Sequence, residues 1–189
     1  KAADELGTGD GGADVCSSDL TATQDEVDAA VAVLTADDSG DKADYKTALN
    51  ETMAQLAATV TEPSFGTGAG EWTVLSLARG GYYPTDSKYF ADYYSRIEQT
   101  VKEKAASVNL NGALHKVKST ENSRLIMALS AIGKDPTKVG GVDLVGAYSA
   151  NGFSWIKKQG LNGPVFALIA LDTYNYKTKD ATIRQQCVN

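Results

Sequence analysis

The sequence predicts an all-α fold in which short, buried inner helices alternate with longer, amphipathic outer ones, and three observations predict it. First, three stretches read alike: "EWTVLSLARGGYYP" (71–84), "SRLIMALSAIGKDP" (123–136) and "NGPVFALIALDTYNY" (162–176). Each holds a short run that is apolar on nearly every face, and a helix of that kind has to be covered on every face. Second, the longer segments between them carry apolar residues at helical spacing only, the pattern of a helix with one side in water. Third, aligning Leu75, Leu129 and Leu168 gives separations of 54 and 39 residues, a loose repeat of one helix pair per unit. Such units bury their cores by stacking on one another.

In chain order, a first helix starts near Thr23. Val27, Ala30, Val31 and Leu34 share one side of it, and Gln24, Asp25 and Glu26 suit the positive end of its dipole. A second spans 41–60, with Tyr45, Leu49, Met53, Leu56 and Val60 as its apolar stripe and Pro63 as its stop. "FGTGAGEW" leads into the first apolar helix, 71–79, which Gly80 and Gly81 close. Asp86 or Ser87 caps the longest helix, running to about 108, with Phe90, Tyr93, Ile97, Val101 and Val108 as its buried stripe. "NLNGALHKVK" (109–118) is irregular, with room for a short extended piece.

Ser119 or Thr120 caps the second apolar helix, which ends at Gly133 with Pro136 beyond. A short helix over 143–149 and a loop, "ANGFSWIKKQG", precede the third apolar helix, capped by Asn162 with Pro164 in its first turn. Phe166, Leu168 and Leu171 of that helix are expected to keep faces that no residue of this chain covers. The last helix, after Thr178, places Ile183 and Cys187 on one face and reads as cut mid-helix, so the chain reads as a fragment.

Composition fits a globular domain: of 189 residues, 42% are hydrophobic and 22% charged. No apolar stretch reaches the roughly 18–20 residues that a membrane-spanning helix needs. Residues 1–20 stand apart. "DVCSSDL" (14–20) resembles the translation of a common sequencing-library adapter, with a Gly-rich flank, and 1–20 is read as a disordered or artefactual segment outside the fold. It holds one lysine and five acids, a net of −4, so the remainder carries −2 of the chain's −6. No basic patch points to nucleic acid, and Cys187 without Cys16 makes neither a disulfide nor a metal site.

Two family resemblances rest on these residues. "TQDEVDAA" (23–30) resembles the FIVAR modules of Gram-positive surface proteins, so 21–40 is read as a helical remnant of such a module. "WTVLSLARGGY", "SRLIMALSAIGKDP" and "NGPVFALIALDTYNY" resemble the α/α-toroid superfamily of terpenoid cyclases and protein prenyltransferases, in the wording of repeats from bacterial surface proteins. The resemblance implies that 41–189 is an incomplete α/α-toroid of about three helix pairs. It also implies a cell-surface address, extracellular or in the cell wall, and neighbouring repeats of the same parent protein as partners.

The chemistry of that superfamily is not written here. The Asp-x-Asp-Asp string of squalene cyclases is missing. "DDSGD" (37–41) matches a magnesium-binding pattern of isoprenoid synthases but places a glycine and a serine in an inter-helix loop, so it reads as a solvated turn. His115, the sole histidine, lies in a loop without nearby acids and reads as a surface or packing residue rather than a zinc ligand or catalytic base. "GTGAG" (66–70) follows no strand, so it reads as a turn that lets helices approach, not as a nucleotide fingerprint. No cofactor and no metal are expected.

Aromatic residues concentrate at the ends of the apolar helices and in the loops between. In a toroid those ends surround a central mouth, and Trp72, Tyr82, Tyr83, Asn122, Arg124, Trp155 and Asn162 are the residues expected to line a site for a small molecule or glycan. The competing reading is that the rings, Tyr174 and Tyr176 included, seal the repeat ends. The expectation is a non-catalytic binding module. The alternatives are a cyclase-type enzyme whose acidic motif lies outside this stretch, or a structural spacer.

Overall fold

The computed structural model describes residues 42–66 and 68–189, and these are all-helical, with no strand among them. The readings on 1–20, on the 21–40 helix and on "DDSGD" lie outside the described residues. Seven α-helices succeed one another: α1 (Lys42–Thr59), α2 (Glu71–Arg79), α3 (Lys88–Val108), α4 (Thr120–Ala131), α5 (Gly146–Ile156), α6 (Asn162–Asp172) and α7 (Thr182–Val188). The chain divides into two compact units, 1–48 and 49–189, and the boundary falls inside α1. The second unit holds the remainder of α1 and all of α2 to α7.

The three stretches that read alike pack side by side, with α4 between α2 and α6. Burial tracks that order. Leu125, Ile126, Met127, Ala128, Leu129 and Ser130 of α4 are all buried, whereas α2 and α6 each keep an open side. On α6 that side is Leu161, Val165 and Ile169, spaced one turn apart and 84%, 49% and 47% exposed. The expectation for Leu171 is therefore corrected: it is buried, and Val165 and Ile169 face out instead.

All three helices stop in the same way. The Tyr82 N–H donates to the Leu77 carbonyl and the Gly81 N–H to Ala78. Lys134 and Gly133 repeat the pair on Leu129 and Ser130, and Tyr176 and Asn175 repeat it on Leu171 and Asp172. This is the Schellman arrangement, which needs a left-handed residue at its turn, and Gly81 (φ 69°), Gly133 (φ 71°) and Asn175 (φ 53°) supply it. These hydrogen bonds set the register of the repeat as Leu77, Leu129 and Leu171, separations of 52 and 42, in place of Leu75, Leu129 and Leu168.

α3 buries Phe90, Tyr93, Ile97 and Val101 of its predicted stripe, while Val108 at its end is half-buried. α1 buries Met53 and Ala57, while Tyr45 and Leu49 of its expected stripe stay exposed. α5 departs most from expectation. Asp143, read as helical, lies in the turn ahead of it, its Oδ1 accepting the Gly146 N–H at 2.7 Å. The helix then continues through the residues read as a loop, broken at Gly152 (φ 69°), to Ile156. Neither Ser119 nor Asn162 caps its helix through a side-chain bond. The Ser119 hydroxyl donates to the Ile156 carbonyl, and Asn162 is already the first residue of α6. The backbone of α6 also packs tightly on Ile156, since a Cβ on Gly163 would lie 1.9 Å from the Ile156 carbonyl oxygen.

Candidate functional site

With α2, α4 and α6 placed in register by their common ends, Trp72, Arg124 and Phe166 occupy equivalent positions, five residues before Leu77, Leu129 and Leu171. The structure brings this row together. The Trp72 and Phe166 rings are 6.1 Å apart between centroids, and Arg124 Nε stands 3.9 Å from Oε2 of Glu71, the neighbour of Trp72. Trp72 is 36% exposed. Asn162, exposed, begins α6 one turn before Phe166. Trp72, Arg124 and Asn162 thus share the N-terminal end of the three helices.

The other expected residues lie elsewhere. Tyr82 and Tyr83 sit past the far end of α2, which at about 1.5 Å per residue puts Tyr82 some 15 Å along from Trp72. There they join Tyr89 and Phe90 in an aromatic cluster, Tyr83 stacking on Tyr89 at 4.9 Å. Asn122 is fully buried. Its Oδ1 accepts the Leu114 N–H, and its Nδ2 donates to the Gly112 and Leu144 carbonyls, so the amide ties two loops to α4. Trp155 is buried against Tyr148, its indole N–H on the His115 carbonyl. His115 itself is a turn residue, Nδ1 accepting the Val117 and Lys118 N–H groups. Tyr176 donates to or accepts from the Ser130 hydroxyl, closing the far end of α4 on α6, while Tyr174 stays exposed.

Glu71 is the residue of this region that the sequence conceals. A glutamate in a helix's first turn looks like an exposed complement to the dipole, yet Glu71 is fully buried. The Gly66 N–H donates to both of its carboxyl oxygens at 3.1 Å, and the Glu71 N–H returns a bond to the Gly66 carbonyl. Gly66 adopts φ 136° to do this, and Gly70 has no room for a side chain, since a Cβ would lie 2.2 Å from two backbone oxygens. Gly66 and Gly70 of "GTGAG" thus pack against the start of α2, where the expectation was a turn letting two helices approach. The rest of the loop is held by α3: Tyr89 donates to the Val60 carbonyl, Arg96 to Pro63, and Lys104 lies over the Phe65 ring.

Burial pushes the Glu71 carboxyl up to about 7, against the opposing pull of the Gly66 and Glu71 N–H groups and of Arg124, with Glu121 adding to the rise. Three groups around it hold unused hydrogen-bonding atoms: Arg124 Nε, the Tyr93 hydroxyl and Glu121 Oε2 are buried without hydrogen-bond partners. Lys104 stands 3.4 Å from Glu121 as an ion pair. Burial, and then the nearness of Glu71, raise the Tyr93 phenol well above its ordinary value.

Among the described residues, surface grooves also lie away from this row. One of about 600 Å³ runs between α5, α6 and α7 past Phe153, Lys157, Leu161 and Cys187, a free thiol. One of about 450 Å³ lies between the end of α3 and α5. Among the described residues no cluster of His, Cys, Asp and Glu is placed to hold a metal ion, and no helix is long and apolar enough to cross a membrane. Comparison with protein-family models, with curated proteins and with solved structures returned no match.

Proposed function

We propose that this chain is a non-catalytic binding module, a partial α/α-toroid whose inner helices are α2, α4 and α6 and whose outer helices are α3, α5 and α7. Its address, on the family resemblance, is the surface or cell wall of a Gram-positive bacterium. What supports the toroid reading is the in-register packing of three apolar helices with identical ends, each followed by a helix that buries one face. The observation that carries the binding reading is Trp72: a large ring on a rigid helix, exposed, backed by Phe166 and one helix away from Arg124. An aromatic face beside a guanidinium suits a sugar or planar ring carrying a neutral polar or anionic group. Neighbouring repeats of the parent protein would complete the ring.

The competing enzyme reading needs an acid in contact with substrate. Glu71 is the acid nearest the row, but it is sealed and both oxygens face the Gly66 N–H, the posture of a packing group. The test is titration of cell-wall and host glycans and of planar cofactor-like rings against the wild type, Trp72→Ala and Arg124→Ala. Saturable binding that weakens tenfold or more in Trp72→Ala, about 1.4 kcal/mol, supports the reading. Binding unchanged in both variants, or turnover of a prenyl substrate, overturns it.

A further inference from the structure

We propose that the open side of α6 is a contact for a second copy of this chain, the two α6 helices packing antiparallel about a twofold axis at Val165. Position in the row says that a helix belongs there. Counted back along the register of the helix ends, Leu161, Val165 and Ile169 correspond to Ser119, Ser123 and Met127 of α4. Those three are buried, and α6 packs on α4 with Gly163 against Ser119. On α6 the same positions are exposed and carry large aliphatic side chains, the kind of patch that marks an association surface. Exposed Val188 extends it, since Val188 and Leu161 edge the same groove.

Size and charge pick the occupant. Ser119 is short enough for a close approach, a Cβ on Gly163 lying 3.3 Å from its hydroxyl oxygen. Leu161, Val165 and Ile169 call instead for the wider spacing of two bulky faces. Their order is symmetric about Val165, so an antiparallel copy sets Val165 on Val165 and Leu161 on Ile169, a self-complementary contact. Charge obeys the same symmetry. Lys157 shares a groove with Leu161 at one end, and Asp172 closes the helix beyond Ile169 at the other. The twofold turns each lysine onto the other copy's aspartate, with the helix dipoles opposed, whereas a parallel copy would set like charges together. Among the described residues Lys157 pairs with no acid, its ammonium lying 5.9 Å over the Phe153 ring. Asp172 holds Arg184, and a carboxylate accepts from more than one cation. The contact is independent of the binding reading, and it uses the side on which a following repeat would stack.

Sedimentation equilibrium of the full chain tests this. One helix face from each copy makes a small interface, so the mass should rise from one chain toward two between about 10 μM and about 1 mM. Val165→Asp puts two carboxylates together on the axis and should hold the mass at one chain throughout. Its melt when dilute should match the wild type, because the side chain it replaces is exposed. Lys157→Glu and Asp172→Lys should each weaken association by about threefold or more alone. Mixed one to one they should recover it, since the mixture restores opposite charges at both ends. A wild type that stays at one chain across the range overturns the proposal and leaves the face to a following repeat. So does association that survives Val165→Asp, and so does a mixture no tighter than its parts, which would rule out the antiparallel register.

Discussion

The Trp72 and Phe166 rings meet at 6.1 Å with their planes tilted by 58°, so side chains of α2 and α6 touch although α4 packs between the two helices. The two rings reach each other past the first residues of α4. A double-mutant cycle over Trp72→Ala and Phe166→Ala should return a coupling of about 0.5–1.5 kcal/mol, the usual range for a tilted aromatic pair. Strictly additive losses in urea denaturation would show that the rings are neighbours without interacting.

The shared helix endings give a second prediction. A side chain at Gly81 or Gly133 would meet nothing within 4 Å, so the cost of adding one is conformational rather than steric. At φ near 70° that cost is about 1–2 kcal/mol for an L residue. Gly81→Ala and Gly133→Ala should each lose that much. Asn175→Gly, at the same point of the third copy, should be neutral or gain a few tenths of a kcal/mol. Thermal melts of the three variants check this. An Asn175→Gly loss as large as the alanine losses would break the equivalence of the three ends.

Some of this was legible in the sequence for a physical reason. α2 ran from Glu71 to Arg79 as expected because an all-round apolar run and a Gly-Gly stop both act locally. The stripe of α3 was equally plain, since a 21-residue amphipathic helix repeats its signal several times. What failed to show was decided by partners far along the chain. Asn122 looked like a site residue, but its amide bonds carbonyls at Gly112 and Leu144. Glu71 carried no signal beyond opening α2, since its burial comes from the turn at Gly66, which donates to both its carboxyl oxygens. Asp143 read as helix because an aspartate in the turn before a helix and one inside it are the same letter. The row of Trp72, Arg124 and Phe166 was half legible: Trp72 and Arg124 were expected at a site and Phe166 was not, because the register came only from the hydrogen bonds that end the helices.

Asn122 separates a structural role from a ligand role. Replacing it with alanine leaves the Leu114 N–H and two carbonyls without partners in a buried place, a loss of about 2–4 kcal/mol. Asn122→Asp should be nearly as harmful, since a carboxylate cannot donate to Gly112 and Leu144. Both losses should appear in denaturant midpoints with no ligand present. Variants as stable as the wild type would restore Asn122 as a binding residue.

Stability should also depend on pH in an uncommon direction, and Glu71 sets the sign. Its carboxyl sits at about 7 in the folded chain against an ordinary 4.5, so between those values the folded state holds a proton that the unfolded state has released. The stabilisation is complete below about 4.5 and is lost as pH climbs through 7, at no more than about 1.4 kcal/mol per pH unit. Asp135, Asp172 and Asp180 act oppositely. Hydrogen bonds from Thr137, Arg184 and Thr182 hold them below their ordinary values, so what they contribute is lost only in acid. The two slopes place the maximum in mildly acidic solution. Urea midpoints should therefore be higher at pH 5 than at pH 8 for the wild type and level across that range for Glu71→Gln. A wild type equally stable at both, or a Glu71→Gln variant that keeps the slope, would mean that the carboxyl is already ionised in the folded chain at pH 5.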